Sequence, residues 1–167
     1  GCRLMLEEVG EPPRSQAEVH SFVGKGMAVL VERCLTREQP PGAGQLDAAI
    51  EAFKRHYVAV NGKFARIYPG VIEGLQAWQA SGLKMGVVTN KPALFTESLL
   101  DRMGMTAYFD VIVSGDTTAH KKPHPEPIHH ACRLMGTHPG ENLHIGDSIN
   151  DIQSAQAAGS VVFYVPY

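Results

Sequence analysis

From Leu83 onward, short apolar runs alternate with helix-patterned stretches, and this alternation is the tightest constraint the sequence places on its fold. The runs Leu83–Thr89, Val111–Ser114, Leu143–Gly146 and Val161–Val165 have strand length and are rich in branched apolar residues. Between them, three stretches read as helices: Pro92–Met103 stopped by Gly104, about Pro127–Met135 ending at Gly136, and about Asn150–Ala158 closed by Gly159. Continuous apolar strands separated by helices predict a parallel sheet covered on both faces, hence an α/β fold.

The pattern changes near Tyr68-Pro69-Gly70. Before it the periodicity is helical throughout. Leu4, Met5, Leu6 and Val9 fit one helix face, and Ser15-Gln16-Ala17-Glu18 has the form of a capping box. Leu46, Ala49, Ile50, Phe53, Tyr57 and Val60 make a single apolar stripe, bounded by Pro40-Pro41-Gly42-Ala43-Gly44 and by Asn61-Gly62. The expected division is therefore an all-helical domain over residues 1–66 and an α/β core over 67–167, the latter opening with a helix from Val71 to Gln79.

Charge and composition narrow the function classes. With 15 basic and 17 acidic side chains the net charge is −2, so nothing electrostatic favours nucleic acid or an anionic membrane as a partner. The longest apolar runs are strand-length, too short to span a bilayer. Cys2, Cys34 and Cys132 are widely spaced and contain no Cys-x-x-Cys, which reads as reduced thiols in a reducing, cytoplasmic setting. His120, His124, His129 and His130 invite a metal reading, but neighbouring helix positions do not share a face and prolines separate the others. They are read here as solvent-facing or core histidines.

Three loops that follow apolar strands carry candidate chemistry. In Leu143-His144-Ile145-Gly146-Asp147-Ser148-Ile149-Asn150-Asp151, Gly146 permits a tight turn and two carboxylates gather at a strand-to-helix corner, where ligands collect in parallel sheets. Hard oxygen donors of that kind suit Mg²⁺, while the same spacing also makes an acidic helix cap. In Val88-Thr89-Asn90-Lys91-Pro92, a hydroxyl, an amide and free N–H groups at a helix start either receive an anion or cap the helix. In His120-Lys121-Lys122-Pro123-His124-Pro125-Glu126-Pro127, alternate prolines stiffen the chain. Lys122 is held extended there, as a point charge for a phosphate oxygen or as a solvated lysine.

Taken in order, Thr89-Asn90-Lys91-Pro92, Lys121-Lys122-Pro123-His124-Pro125 and Gly146-Asp147-Ser148-Ile149-Asn150-Asp151 resemble the haloacid dehalogenase superfamily of phosphohydrolases, and within it bacterial phosphoglycolate phosphatases. The resemblance implies a Rossmann-like core with a helical cap. It implies that Thr89 and Asn90 bind the phosphoryl group, that Lys122 neutralises it and steadies the nucleophile, and that Asp147 ligates Mg²⁺. Asp151 would then support the metal or its water, or orient Lys122. Phe22-Val23-Gly24-Lys25-Gly26 is similar to the cap loop that faces the active site in this family, so Gly24 and Lys25 become candidate substrate contacts. A solvated loop lysine is the alternative. The implied substrate is a small phosphorylated acid such as 2-phosphoglycolate, or else a sugar phosphate or another small phosphomonoester. Monomer and homodimer are both compatible with the sequence.

One family feature is missing from these 167 residues. Members open with an apolar strand ending in Asp-x-Asp-Gly-Thr, whose first aspartate attacks phosphorus. Before Lys122 the only aspartates are Asp47, Asp101, Asp110 and Asp116, none in that setting. The start at Gly1-Cys2-Arg3 without an initiator Met, and the stop just after an apolar strand, predict an excerpt of a longer phosphatase. A non-catalytic remnant binding a phosphorylated ligand or a partner chain is the other reading. In the family the missing strand lies between those ending at Thr89 and at Gly146, so the expected core has a gap there. Each unpaired buried backbone group would cost roughly 1–3 kcal/mol. That predicts marginal stability, aggregation, or direct pairing of the two flanking strands.

Overall fold

The computed structural model describes residues 1–166 and divides the chain into two compact units, Gly1–Phe64 and a second beginning at Ala65. The first is entirely helical: α1 (Cys2–Glu8), α2 (Gln16–Phe22), α3 (Met27–Leu35) and α4 (Ala43–Val60). Its core joins Met5 and Leu6 of α1, Val31, Cys34 and Leu35 of α3, and Ala49, Ala52 and Phe53 of α4. The stripe read from the sequence is the face that α4 buries. Ser15 and Glu18 form the anticipated capping box at the start of α2. Just before it, Arg14 turns its guanidinium onto the end of α3, donating to the carbonyls of Cys34 (3.0 Å), Arg33 and Thr36. A cation at a helix C-terminus satisfies orphan carbonyls and complements the dipole.

The second unit alternates helices and strands: α5 (Val71–Ala80), β1 (Gly86–Val88), α6 (Ala93–Arg102), β2 (Val111–Val113), α7 (Glu126–Met135), β3 (Leu143–Gly146), α8 (Ile149–Ala158) and β4 (Val161–Tyr164). The expected order is present, with β3 at its predicted bounds and the other three strands shorter. Leu83–Thr89 contracts to Gly86–Val88 because the N–H of Met85 is taken by the Asp110 carboxylate at 2.8 Å. Asp110 is thus a structural cap on the strand entrance. Pro92 precedes α6 as its cap, one residue earlier than the sequence reading placed it.

Both strand pairs are parallel. β1 pairs with β2 in the register Val87↔Ile112, and β3 pairs with β4 in the register Ile145↔Phe163. They form two separate two-stranded sheets, and among the described residues β1 and β3 do not pair. Direct pairing, one of the outcomes expected from the sequence, is therefore not what the chain adopts. Ile128 and Cys132 of α7 and Ala155 and Ala158 of α8 pack together with Val88 and Val162, so one helical layer serves both pairs. On β3 and β4 the residues alternate accordingly. His144 and Val162 turn inward, while Leu143, Ile145, Val161 and Phe163 stay exposed.

Candidate active site

The loops that leave β1, β2 and β3 meet around Lys122. Its side chain is 10 % exposed and its ammonium donates to the carbonyl of Val88, at the end of β1, and to Oδ1 of Asp151, in the first turn of α8, both at 2.5 Å. Lys122 therefore links the exits of β1 and β3. Its backbone is fixed just as firmly. The Asn90 amide donates to the Lys122 carbonyl and accepts from the Lys122 N–H, each at 2.9 Å. Asn90 is buried, and Gly115 makes this packing feasible: a Cβ on it would lie 2.2 Å from the Asn90 carbonyl oxygen.

Asp151 is held from several sides. Oδ2 accepts from the Ser148 N–H (3.1 Å) and hydroxyl (2.5 Å), completing a capping box with Ser148 as N-cap. Oδ1 accepts from Lys122 and faces Nε2 of His144 at 3.4 Å. Burial alone would raise the carboxyl pKa, but hydrogen bonds from His144, Lys122 and Ser148 outweigh it and hold Asp151 well below the usual carboxylate range. The group stays ionised across the physiological range. Gly146 is again what lets the corner close, since a Cβ there would lie 2.3 Å from Cβ of Asp151.

The remaining predicted residues separate into two places. Thr89 continues the β1–β2 ladder through its N–H to Val113 (2.9 Å), and its hydroxyl accepts from the Lys91 N–H at 3.2 Å, a turn that opens the strand end towards α6. Asp147 follows β3 directly and is exposed. Gly24 and Lys25 lie on the α2–α3 loop of the helical unit, both exposed, with Gly24 at φ 116°. Asn90, Lys122 and Asp151 are thus joined by the bonds just given, and Thr89 precedes Asn90 directly in the chain.

These contacts sharpen the sequence reading. The two carboxylates at the β3 corner are not equivalent: both oxygens of Asp151 are engaged by lysine, histidine and serine, whereas Asp147 projects outward. A hard cation that keeps most of its waters and takes one or two carboxylates fits Asp147 as a ligand, and Asp151 only through other groups. Asn90, read as a phosphate contact, commits its side chain to Lys122. Any anion would meet backbone N–H groups of that turn instead.

A family model for haloacid dehalogenase-like hydrolases matches residues 2–165. The chain belongs to that family. Phosphoglycolate phosphatases of Thiobacillus denitrificans and Nitrosospira multiformis are 44 % and 42 % identical to it over 168 aligned residues, covering 99 % of this chain and 74 % of each relative. The crystal structure of a predicted phosphoglycolate phosphatase from Haemophilus somnus superposes with a TM-score of 0.89 at 31 % identity, over 96 % of this chain and 74 % of that one. CbbY from Rhodobacter sphaeroides, crystallised with phosphate, has the same fold, with a TM-score of 0.86 at 22 % identity over 99 % and 77 % of the two chains. This hydrolase is thus closely related to bacterial phosphoglycolate phosphatases, and its family assignment is to phosphoric monoester hydrolases. No helix among its described residues is long and apolar enough to cross a membrane.

Two features of the hydrolase escaped the sequence reading. His144 adds a third donor facing Asp151, and its only signal is a histidine inside an apolar strand, on the side opposite Leu143 and Ile145. The second is a contact inside the proline-rich loop, whose histidines are solvent-facing as the sequence suggested. His120 and His124, separated by prolines in sequence, stack their rings with centroids 4.2 Å apart, and Glu126 bonds to His120 at 2.7 Å. The loop folds back on itself, so residues that share no helix face still meet.

Proposed function

We propose that this chain carries the phosphate-binding and charge-neutralising part of a Mg²⁺-dependent phosphatase whose substrate is a small phosphorylated acid, 2-phosphoglycolate foremost. The observation that supports this best is the buried Lys122 ammonium held between the Val88 carbonyl and Asp151 at the joint exit of β1 and β3. An ammonium fixed there is placed to meet a phosphoryl oxygen without reorganising, which is how preorganised charge lowers a barrier. Thr89 and the N–H groups near Asn90 would receive the other phosphoryl oxygens. Asp151 would act by holding the Lys122 ammonium in place, and Asp147 would hold the metal. When bound, Mg²⁺ supplies Lewis-acid neutralisation of the developing phosphoryl charge.

The attacking carboxylate is not among the candidates in these residues. We infer that it arrives on an extended segment lying between β1 and β3, where the two sheet halves present no partner to each other. Residues 1–66 are proposed as the cap, with Gly24 and Lys25 as candidate contacts for the substrate carboxylate. The setting proposed is cytoplasmic, in keeping with three free cysteines.

The test is phosphate release from 2-phosphoglycolate and a panel of sugar phosphates, by the chain alone and by the chain co-expressed with an Asp-x-Asp-Gly-Thr strand segment. Release should require the segment and Mg²⁺, be fastest with 2-phosphoglycolate, and vanish with Lys122→Met. Faster release from a sugar phosphate would move the substrate within the same class. Phosphate binding with no release in either form would make the chain a ligand-binding relative instead.

A further inference from the structure

The loop from β2 to α7 carries three ligating side chains that the phosphate site does not use. His120, His124 and Glu126 each offer one ligand atom, and these atoms lie within 4.8 Å of one another. The backbone that presents them is pinned along its length. The His120 carbonyl accepts from Thr118 Oγ1 at 2.7 Å, and the His120 N–H donates to Glu126 Oε2 at 2.9 Å. The His124 N–H donates to the Lys121 carbonyl, and its own carbonyl accepts from Ser154 Oγ on α8, both at 2.9 Å. Between the two histidines, Lys122 is clamped by Asn90. A ligand bound here would not have to order a loose segment first, which removes one of the main costs of binding.

We propose that His120, His124 and Glu126 form a binding site for a borderline divalent transition-metal ion of the Zn²⁺ class, separate from the oxygen corner at Asp147. Two imidazoles and a carboxylate are the donors of three-ligand zinc sites that leave a fourth position to water. Imidazole donors also discriminate against Mg²⁺, which prefers oxygen and keeps its hydration shell. The rings are stacked at an interplanar angle of 21°, and tetrahedral coordination requires them to turn until their lone pairs converge. Both histidines are exposed, so the turn displaces solvent and leaves the core untouched. His124 Nδ1 would give up the 3.2 Å contact from the Glu126 N–H, a first-turn donor of α7 that water can satisfy. Because the ligands flank Lys122 by two residues on each side, the bound ion would brace the segment that carries it.

The experiment is a calorimetric titration of the full 167-residue chain with Zn²⁺ in excess Mg²⁺, repeated with Co²⁺ by visible absorption. One ion should bind per chain, Mg²⁺ should not compete, and the ring resonances of His120 and His124 should move on binding. His120→Ala and His124→Ala should each weaken binding by at least about tenfold, because changes even one shell further out cost that much. Both side chains are exposed, so the variants retain the fold. A Cys2→Ser chain should bind as tightly as the parent. Unchanged affinity in the His120→Ala/His124→Ala double variant, loss of affinity in Cys2→Ser, or the absence of any binding would each overturn the proposal.

Discussion

The two strand pairs of the α/β unit are built alike and finished differently. β1–β2 and β3–β4 are both parallel and both short, the first packed against α7 and the second against α8, two helices that pack on each other. In the first pair Val113 is fully buried and Val87, Val88, Val111 and Ile112 are half-buried. In the second, Ile145 is 45 % exposed and Val161 63 % exposed, on the face turned away from the helices. Parallel sheets are stable when covered on both faces, and β3–β4 has cover on one. What spans from one half to the other at the site is a side chain. Lys122 reaches the Val88 carbonyl on the first half and Asp151 beneath the second. The proposed phosphate-binding lysine is thus also a fastener.

Breaking that fastener should give the largest effect. Lys122→Met leaves the buried Asp151 carboxylate without its cation, and removing one partner of a buried pair costs about 3–5 kcal/mol. Trp78, the only tryptophan, lies in α5 of this unit, so its fluorescence during urea unfolding reports on the α/β unit. A loss below about 1 kcal/mol, the size of a surface pair, would mean that α7 and α8 alone hold the halves together. Acid titration gives an independent view of the same bond. Asp151 has a depressed pKa in the folded state, so its contribution is fully present above the unfolded carboxyl value near 4 and is lost as pH falls towards the folded one. The parent should therefore lose stability steeply below about pH 4, and an Asp151→Asn chain should lose less over that window.

The next effect probes whether the two halves are equally tight at their exits. Gly146→Ala drives a Cβ to 2.3 Å from Asp151 Cβ, and Gly115→Ala drives one to 2.2 Å from the Asn90 carbonyl oxygen. Overpacking of this kind typically costs about 1–3 kcal/mol. Equal losses in urea unfolding would show two rigid corners. A much smaller loss at Gly146 would show that the first turn of α8 yields, as expected of the less covered half.

Much of this arrangement was legible before any coordinates. The alternation of strands and helices, the parallel sense, the helical first unit and the capping box at Ser15 follow from period and turn residues, whereas the grouping of Thr89, Asn90, Lys122 and Asp151 was implied by the resemblance to haloacid dehalogenase-like phosphohydrolases. What was not legible depends on long-range geometry. That Asn90 spends its amide on a residue 32 positions away, and that His120 and His124 stack, are consequences of how one proline-rich loop folds back. The length of β1 was overestimated because the competition came from Asp110, which local pattern cannot weigh.

Asn90→Ala isolates the clamp from the charge. It removes two hydrogen bonds to the Lys122 backbone while leaving the ammonium and Asp151 in place, so the expected loss is about 2 kcal/mol, one for each bond. If Lys122 owes its position to Asp151 alone, the Asn90→Ala chain should match the parent in urea midpoint, and the clamp would be incidental.

The smallest effect is expected where the second half lies open. Ile145 sits in the middle of β3 with its side chain on the uncovered face, so Ile145→Thr exchanges one β-branched residue for another where little apolar area leaves water. Stability should change by no more than about 0.5 kcal/mol, while light scattering of concentrated samples should fall, because Leu143, Ile145, Val161 and Phe163 form a contiguous apolar face that favours self-association. The matching change on the first half, Val113→Thr, buries a hydroxyl at a fully covered position and should cost about 1–3 kcal/mol. A large loss from Ile145→Thr would mean that the β3–β4 face is covered in solution, and the contrast between the halves would then lie in what covers them rather than in whether they are covered.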